Sequence, residues 1–221
     1  MAASLPTVGG TAASPGHARW THALERARAH WIELLLLLPA AGLLIASIFQ
    51  PYWNIVLRAP QYPKGLSVDV YVNKMEDMRS VREVDGLNHY IGMIKLTDAA
   101  TIERMISVYA IGLIAILAVV SIFLPGWWRT LARIPVVLYP AIFAIDLFAW
   151  LYYAGHTLDK KAALSSSISA FTPHILGEGK IGQFSTEAKF EAGFWMAVVA
   201  ALLVAGAIAL DWRRRRHGAA I

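Results

Sequence analysis

The carboxyl group of Asp146 stands near the middle of a long apolar run, where ionisable groups are rare. A carboxylate at the centre of a membrane costs roughly 2.5–3.5 kcal/mol on insertion scales, so it usually faces the interior of a helix bundle. Tyr153 follows on the same helical face, and His156 stands at the end of the run. Asp146, Tyr153 and His156 therefore predict a proton path or a site for a quinol head group. The alternative is a carboxyl group that is hydrogen-bonded to neighbouring helices.

A second set of candidate ligands lies between the apolar runs. His89 and Met93 are four residues apart and share a face if this stretch is helical. His174 approaches them if the two segments between the runs pack together, with His156 nearby. Thioether and imidazole groups suit Cu(I), so His89, Met93 and His174 predict a copper site. The alternative is that methionine fills gaps in a small core and that the histidines form ordinary hydrogen bonds.

The absence of cysteine excludes several other chemistries. Thiolate zinc sites, iron–sulfur clusters and the C-x-x-C-H attachment of c-type haem all need cysteine. A b-type haem is disfavoured because His30 and His156 stand at opposite ends of the apolar runs. The stretch around Lys180 is glycine-rich but lacks the phosphate-loop pattern, and we expect it to form a loop. We predict no firm cofactor, and copper is the possible one.

Composition indicates a membrane protein. Of 221 residues, 57% are hydrophobic and only 16% are charged, against about 25% charged in ordinary soluble domains. A helix of about 20 residues spans the hydrocarbon core, and four apolar runs have that length. The predicted fold is an all-α membrane protein, a four-transmembrane-helix bundle with spans at 32–49, 105–124, 134–153 and 193–210.

The basic residues predict the orientation. The segments 1–31, 125–133 and 211–221 contain arginines close to the spans, so the positive-inside rule places them and both termini in the cytoplasm. The net charge of +5 then reflects topology and contact with anionic lipid, and we expect no nucleic-acid partner. The first span is predicted to be an uncleaved anchor. Residues 20–31 predict a short amphipathic helix on the membrane, with a disordered basic tail as the alternative.

The remaining segments, 50–104 and 154–192, are then extracytoplasmic. "LSVDVYVNK" alternates as a strand does, and "VREV" before Asp85 is a candidate partner strand. Asp98 is a candidate cap for the helix that follows. The segments therefore predict a small strand-containing extracytoplasmic domain.

Several motifs between residues 50 and 190 resemble those of a known family. These motifs are "QPYWNIVLRAPQYPKGLSVDVYVNK", "GLNHYIGM", "GHTLD" and "FTPHILGEGKIGQF". They are similar to small four-span bacterial inner-membrane proteins found with the maturation genes of nitrous oxide reductase, a periplasmic copper enzyme. Some members are loosely labelled cytochrome c, but this chain lacks the haem-attachment motif.

The resemblance implies a non-catalytic inner-membrane accessory protein for a periplasmic copper-dependent system, namely nitrous oxide reduction in denitrification. Its partners would be the copper enzyme or its maturation proteins, besides the lipid bilayer. Two alternatives stay open at this point. One is a quinol- or proton-linked redox component that uses Asp146, and the other is a structural scaffold.

Overall fold

A computed structural model describes residues 15–164, 168–181 and 183–218, with the backbone alone for 15–30, 181, 217 and 218. The described helices are α1 (Pro15–Ser47), α2 (Met78–Ile91), α3 (Thr101–Val120), α4 (Gly126–His156) and α5 (Ala192–Gly218). The described strands are β1 (Trp53–Ala59), β2 (Tyr62–Val70), β3 (Met75–Glu76), β4 (Gly177–Ile181) and β5 (Phe184–Phe190).

Helices α1, α3, α4 and α5 form a bundle with an apolar core. Helix α1 packs against α5 and α3, and α4 packs mainly against α5, whereas α3 and α4 contact each other less. Large apolar side chains are exposed on the outside of the bundle, among them Leu35, Tyr109, Ile145 and Leu202. An exposed apolar surface around an apolar core is typical of a bundle surrounded by lipid.

Three helical segments among the described residues are long and apolar enough to cross a membrane: Thr101–Phe123, Gly126–His156 and Ala192–Arg216. The apolar part of α1, Trp31–Ser47, is shorter. The prediction of helices capable of spanning a membrane is therefore confirmed for three of the four runs.

The helices extend beyond the apolar runs. The segment 125–133, predicted as a link, is almost entirely the first part of α4. Residues 20–31 belong to the continuous helix α1. Their predicted amphipathic character depends on side chains that lie mostly outside the described part of the chain. Residues 1–14 of the predicted tail also lie outside the described residues.

The two segments between the helices form one antiparallel sheet with the strand order β3-β2-β1-β5-β4. Strand β1 pairs with β2 on one side and with β5 on the other, so that Ile55 lies between Val68 and Ala188. The predicted strand is confirmed as β2. The expected glycine-rich loop was wrong, because Gly177 and Gly179 lie in β4 and pair with Ala188 and Thr186 of β5.

Helix α2 replaces the second predicted strand. "VREV" lies inside α2, where Val81, Val84, Asn88 and Ile91 are buried at helical spacing. Asp77 caps this helix, since its carboxylate accepts hydrogen bonds from the Ser80 backbone N–H at 3.4 Å and from the Ser80 hydroxyl at 2.5 Å. The strand prediction was wrong because Val81 and Val84 are three residues apart, a spacing that fits one face of a helix and not the alternation of a strand.

The predicted cap at Asp98 was also wrong. Asp98 ends a short 3₁₀ turn that begins at Leu96, and the residue before α3 is Ala100, whose side chain makes no capping bond. Arg104 closes this turn instead, because its guanidinium donates to the Thr97 carbonyl at 2.7 Å.

The chain after α4 returns to the sheet and α2. The Asp159 backbone N–H donates to the Gly92 carbonyl at 2.8 Å, and the Trp53 indole N–H donates to the Ile175 carbonyl at 2.8 Å. Gly92 has φ +83°, and a Cβ there would lie 2.7 Å from the Asp159 carbonyl oxygen. Both segments therefore form one unit, called the sheet domain below, at the end of the bundle where α1 and α4 finish and α3 and α5 begin.

Candidate functional site

A cavity of about 330 Å³ lies between α3 and α4, beneath the sheet domain. It is called the membrane cavity below. Its lining is mostly apolar and comes from α3, α4 and the sheet domain, including Val72, Ile106, Ile142, Phe143 and Trp150. Ile106 and Ile142 are also more than half exposed on the outside of the bundle. The cavity therefore has a rim on the apolar surface of the bundle.

Polar side chains are a minority of the residues that line this cavity. Asp146 is half-buried in its wall, opposite Glu103 and Arg104 of α3. The Arg104 guanidinium already donates to backbone carbonyls of Thr97 and Ala100. Among the described side chains, Asp146 has no ion-pair or hydrogen-bond partner. Its carboxyl group is therefore available to a molecule in the cavity.

The hydroxyl of Tyr139 is a second polar group at the cavity. Its orientation is fixed by a series of hydrogen-bonded hydroxyl groups. The Tyr139 hydroxyl donates to the Tyr52 hydroxyl at 3.2 Å, which lies 2.6 Å from the Ser47 hydroxyl. The Ser47 proton goes to the Leu44 carbonyl at 2.6 Å, so Ser47 must accept from Tyr52. Burial raises the pKa of Tyr52, so the Tyr52 hydroxyl keeps the proton that it donates to Ser47. The Tyr139 oxygen consequently keeps its capacity to accept a hydrogen bond, and Tyr139 is one of the residues that line the cavity.

A smaller apolar cavity of about 80 Å³ lies between the sheet and α2. Trp53, Asn88, Met93, Leu96 and Leu151 line both cavities, so the two are neighbours that share a wall. Met93 therefore lies in an apolar setting between the sheet domain and the bundle.

The predicted proton or quinol residues are only partly brought together. Asp146 lies in the cavity wall with Trp150, but Tyr153 is 49% exposed and only its edge-on contact with the Trp150 ring, at 5.9 Å, connects it to this wall. His156 is exposed and stacks on Tyr152, with ring centroids 3.9 Å apart. Of the three predicted residues, the cavity contains Asp146 alone.

The predicted copper ligands His89 and Met93 do not have the helical arrangement that was expected of them. Helix α2 ends at Ile91 and Gly92 turns the backbone, so His89 and Met93 do not share a helical face. His89 is exposed, and the His174 Nδ1 lies 2.9 Å from the Glu178 carbonyl oxygen. Within the described residues, no group of three or more His, Asp or Glu side chains is placed to hold a metal ion. Two methionines, in contrast to the histidines, line a common site: Met75 and Met93 both lie in the wall of the membrane cavity.

Sequence reasoning missed a charged cluster at the end of the bundle opposite the sheet domain. It is called the arginine cluster below and consists of Glu33, Arg129, Arg133, Asp211, Arg214 and Arg215. Arg133 is fully buried, and its guanidinium lies 2.7 Å from Glu33 and donates to the Ser121 hydroxyl at 2.7 Å. Arg129 joins both acids, at 3.6 Å from Glu33 and 3.3 Å from Asp211.

The last two arginines connect the end of α5 to this cluster. Arg214 lies 3.4 Å from Glu33, and Arg215 lies 2.5 Å from Asp211. The cluster therefore joins α1, α4 and α5. Its signal in the sequence is one acid at the edge of the first and of the last apolar run, beside basic residues that were interpreted as topological markers only.

No model of a known protein family matches this chain, and a search of curated proteins finds no match either. The geometry shows a mostly helical protein with span-capable helices and a small antiparallel sheet.

Proposed function

We propose that this protein is a non-catalytic membrane accessory protein that holds a lipid-soluble molecule with a polar head in the membrane cavity. The observation that carries the proposal is Asp146, a carboxyl group without a described partner in the wall of a mostly apolar cavity. Apolar pockets with a few convergent polar groups are typical of ligand sites.

The rim of the cavity supports a lipid-soluble ligand. Ile106 and Ile142 line the cavity and are exposed on the surface that lipid covers. A molecule dissolved in the bilayer can therefore enter sideways between α3 and α4. Its apolar part replaces lipid contacts at little cost, while its head reaches Asp146.

A quinol is the ligand class that fits the polar groups best. Its hydroxyl groups donate hydrogen bonds, and both Asp146 and the Tyr139 oxygen can accept them. The proposed accessory role in nitrous oxide respiration depends on the family resemblance, and a quinol-binding protein is compatible with a respiratory setting.

Quenching of tryptophan fluorescence by decylubiquinol, the reduced form that carries the donating hydroxyl groups, tests this proposal, because Trp53 and Trp150 line the cavity. We expect saturable quenching, with a smaller amplitude in Trp150→Phe. Asp146→Leu should weaken binding about tenfold or more, since hydrogen bonds to charged groups contribute about 1.5–3 kcal/mol.

Ile145→Leu provides the matched control, because Ile145 adjoins Asp146 but is 68% exposed on the outside of the bundle. This variant should bind like the wild type. Quenching that rises with membrane partitioning alone, and is equal in all variants, would contradict the proposal.

Copper handling is the second candidate function, and one observation favours it. The thioethers of Met75 and Met93 line the same cavity, although they come from β3 and from the turn after α2. Soft sulfur ligands in an apolar setting suit Cu(I).

A Cu(I) competition titration distinguishes the possible ligand sets. If copper binds at these thioethers, Met75→Leu/Met93→Leu should lose affinity while His89→Ala should not. Met78→Leu is the control, since Met78 is 50% exposed on α2. Weak binding that none of these substitutions changes would remove copper from consideration at this site.

A further inference from the structure

The arginine cluster carries an excess of positive charge in a mostly buried place. Four guanidinium groups face two carboxylates, Glu33 and Asp211, which are 3% and 6% exposed. Charges in such surroundings interact more strongly than charges in water. The described part of the chain therefore does not neutralise this end of the bundle.

One guanidinium nitrogen shows the same imbalance directly. The NH1 atom of Arg133 is buried and has no hydrogen-bond partner, although the NH2 and Nε atoms are paired with Glu33 and Ser121. Unpaired buried donors are uncommon in proteins. An anion close to the cluster would lower the electrostatic cost of this arrangement.

An apolar groove of about 370 Å³ begins beside the cluster and runs between α4 and α5. Its walls are almost entirely apolar: Ile134, Val137, Leu138, Ala205, Ile208, Ala209 and Trp212. Ile134 follows Arg133 and Trp212 follows Asp211, so the groove starts at the depth of the charged cluster. The Arg216 guanidinium lies over the Trp212 ring, 3.5 Å from its centroid.

We propose that the groove and the arginines at its end bind one anionic phospholipid. An acyl chain lies along the groove, and the lipid phosphate lies among Arg214, Arg215 and Arg216, which are partly or fully exposed. Charge and shape agree, because the groove is almost entirely apolar and the arginines at its end outnumber the acids that they contact. A free phosphate would satisfy the arginines but leave the groove unused.

Thermal unfolding of the detergent-solubilised protein tests the site with defined lipids. Phosphatidylglycerol should raise the unfolding temperature of the wild type in a saturable manner. Phosphatidylcholine with the same chains should do so much less, and glycerol 1-phosphate should have no effect. Native mass spectrometry of the purified protein should show about one retained anionic lipid.

Arg216→Gln leaves every described ion pair of the cluster in place and should weaken the phosphatidylglycerol effect about fivefold, as expected for one basic residue at an anionic surface. Lys64→Gln removes the same charge from β2, at the other end of the molecule, and should change nothing. Equal stabilisation by both lipids would overturn the proposal, and so would full stabilisation by glycerol 1-phosphate, which would indicate a free-anion site.

Discussion

Glu33 and Arg133 form a buried ion pair across the bundle, with the carboxylate 2.7 Å from the guanidinium. Their side chains are 4% and 0% exposed. Glu33 belongs to α1 and Arg133 to α4, and these helices contact each other less than either contacts α5. The pair therefore contributes a polar connection where little apolar packing is available.

Removing one member of this pair should destabilise the protein strongly. Glu33→Gln leaves Arg133 charged and buried, and the loss should be about 3–5 kcal/mol. Unfolding followed by helical circular dichroism in mixed micelles with increasing SDS measures it. Glu33→Leu combined with Arg133→Met should cost less than Glu33→Gln alone, because no unpaired buried charge remains.

An exposed ion pair gives the matched control. Arg58 and Glu187 pair at 2.9 Å between β1 and β5, but each is nearly half exposed. Arg58→Gln should change stability little, since water already solvates both groups. A loss as large as that of Glu33→Gln would contradict the role assigned to burial.

Gly92 should not tolerate a side chain. Its φ of +83° is unfavourable for other residues, and an added Cβ would lie 2.7 Å from the Asp159 carbonyl oxygen. Gly92→Ala should therefore cost about 1–3 kcal/mol in the same unfolding measurement. A neutral result would show that the segment after α4 does not pack here.

Gly86 offers the opposite case within the same helix. It is exposed inside α2 and has open space where a Cβ would stand. Gly86→Ala should stabilise the protein by about 0.5–1 kcal/mol, because alanine favours the helix.

Local sequence patterns predicted the bundle but not the sheet pairing. The apolar runs are long enough that composition alone indicates span-capable helices, and residues 66–73, which include the second half of β2, alternate as a strand does. Strand β1 has its second partner more than 120 residues away in β5, as Ile55 and Ala188 show. No local pattern contains such a pairing, so β1, β4 and β5 were missed.

The candidate site was predictable only in part for the same reason. Asp146 stood out because a carboxylate in an apolar run is costly. The membrane cavity, however, depends on how α3, α4 and the sheet domain meet, and the Tyr139–Tyr52 hydrogen bond joins distant parts of the chain. The arginines of the cluster were interpreted as residues at the membrane surface, because Glu33 is distant from them in the sequence and no local pattern connects them.

Tyr71 should ionise at a higher pH than an ordinary tyrosine. Burial and a hydrogen bond from its hydroxyl to Glu76 raise the pKa of Tyr71 to about 12, against about 10 for an ordinary tyrosine. The unfolded chain loses this proton at lower pH than the folded one, so the contribution to stability is complete below pH 10 and is lost between pH 10 and 12. Ultraviolet titration of the wild type minus Tyr71→Phe measures the pKa, and Tyr71→Phe should lack that part of the alkaline destabilisation.

The pairing of β1 with β5 also predicts the sidedness of the chain. Lys64 in β2 and Lys180 in β4 belong to one sheet, so both must lie on the same side of the membrane. Arg213 lies at the opposite end of α5 and should face the cytoplasm. The chain has no cysteine, so Lys64→Cys, Lys180→Cys and Arg213→Cys each introduce one reactive thiol. A membrane-impermeant maleimide added to spheroplasts should label the first two and not the third, whereas labelling of Lys64→Cys without Lys180→Cys would contradict the single sheet.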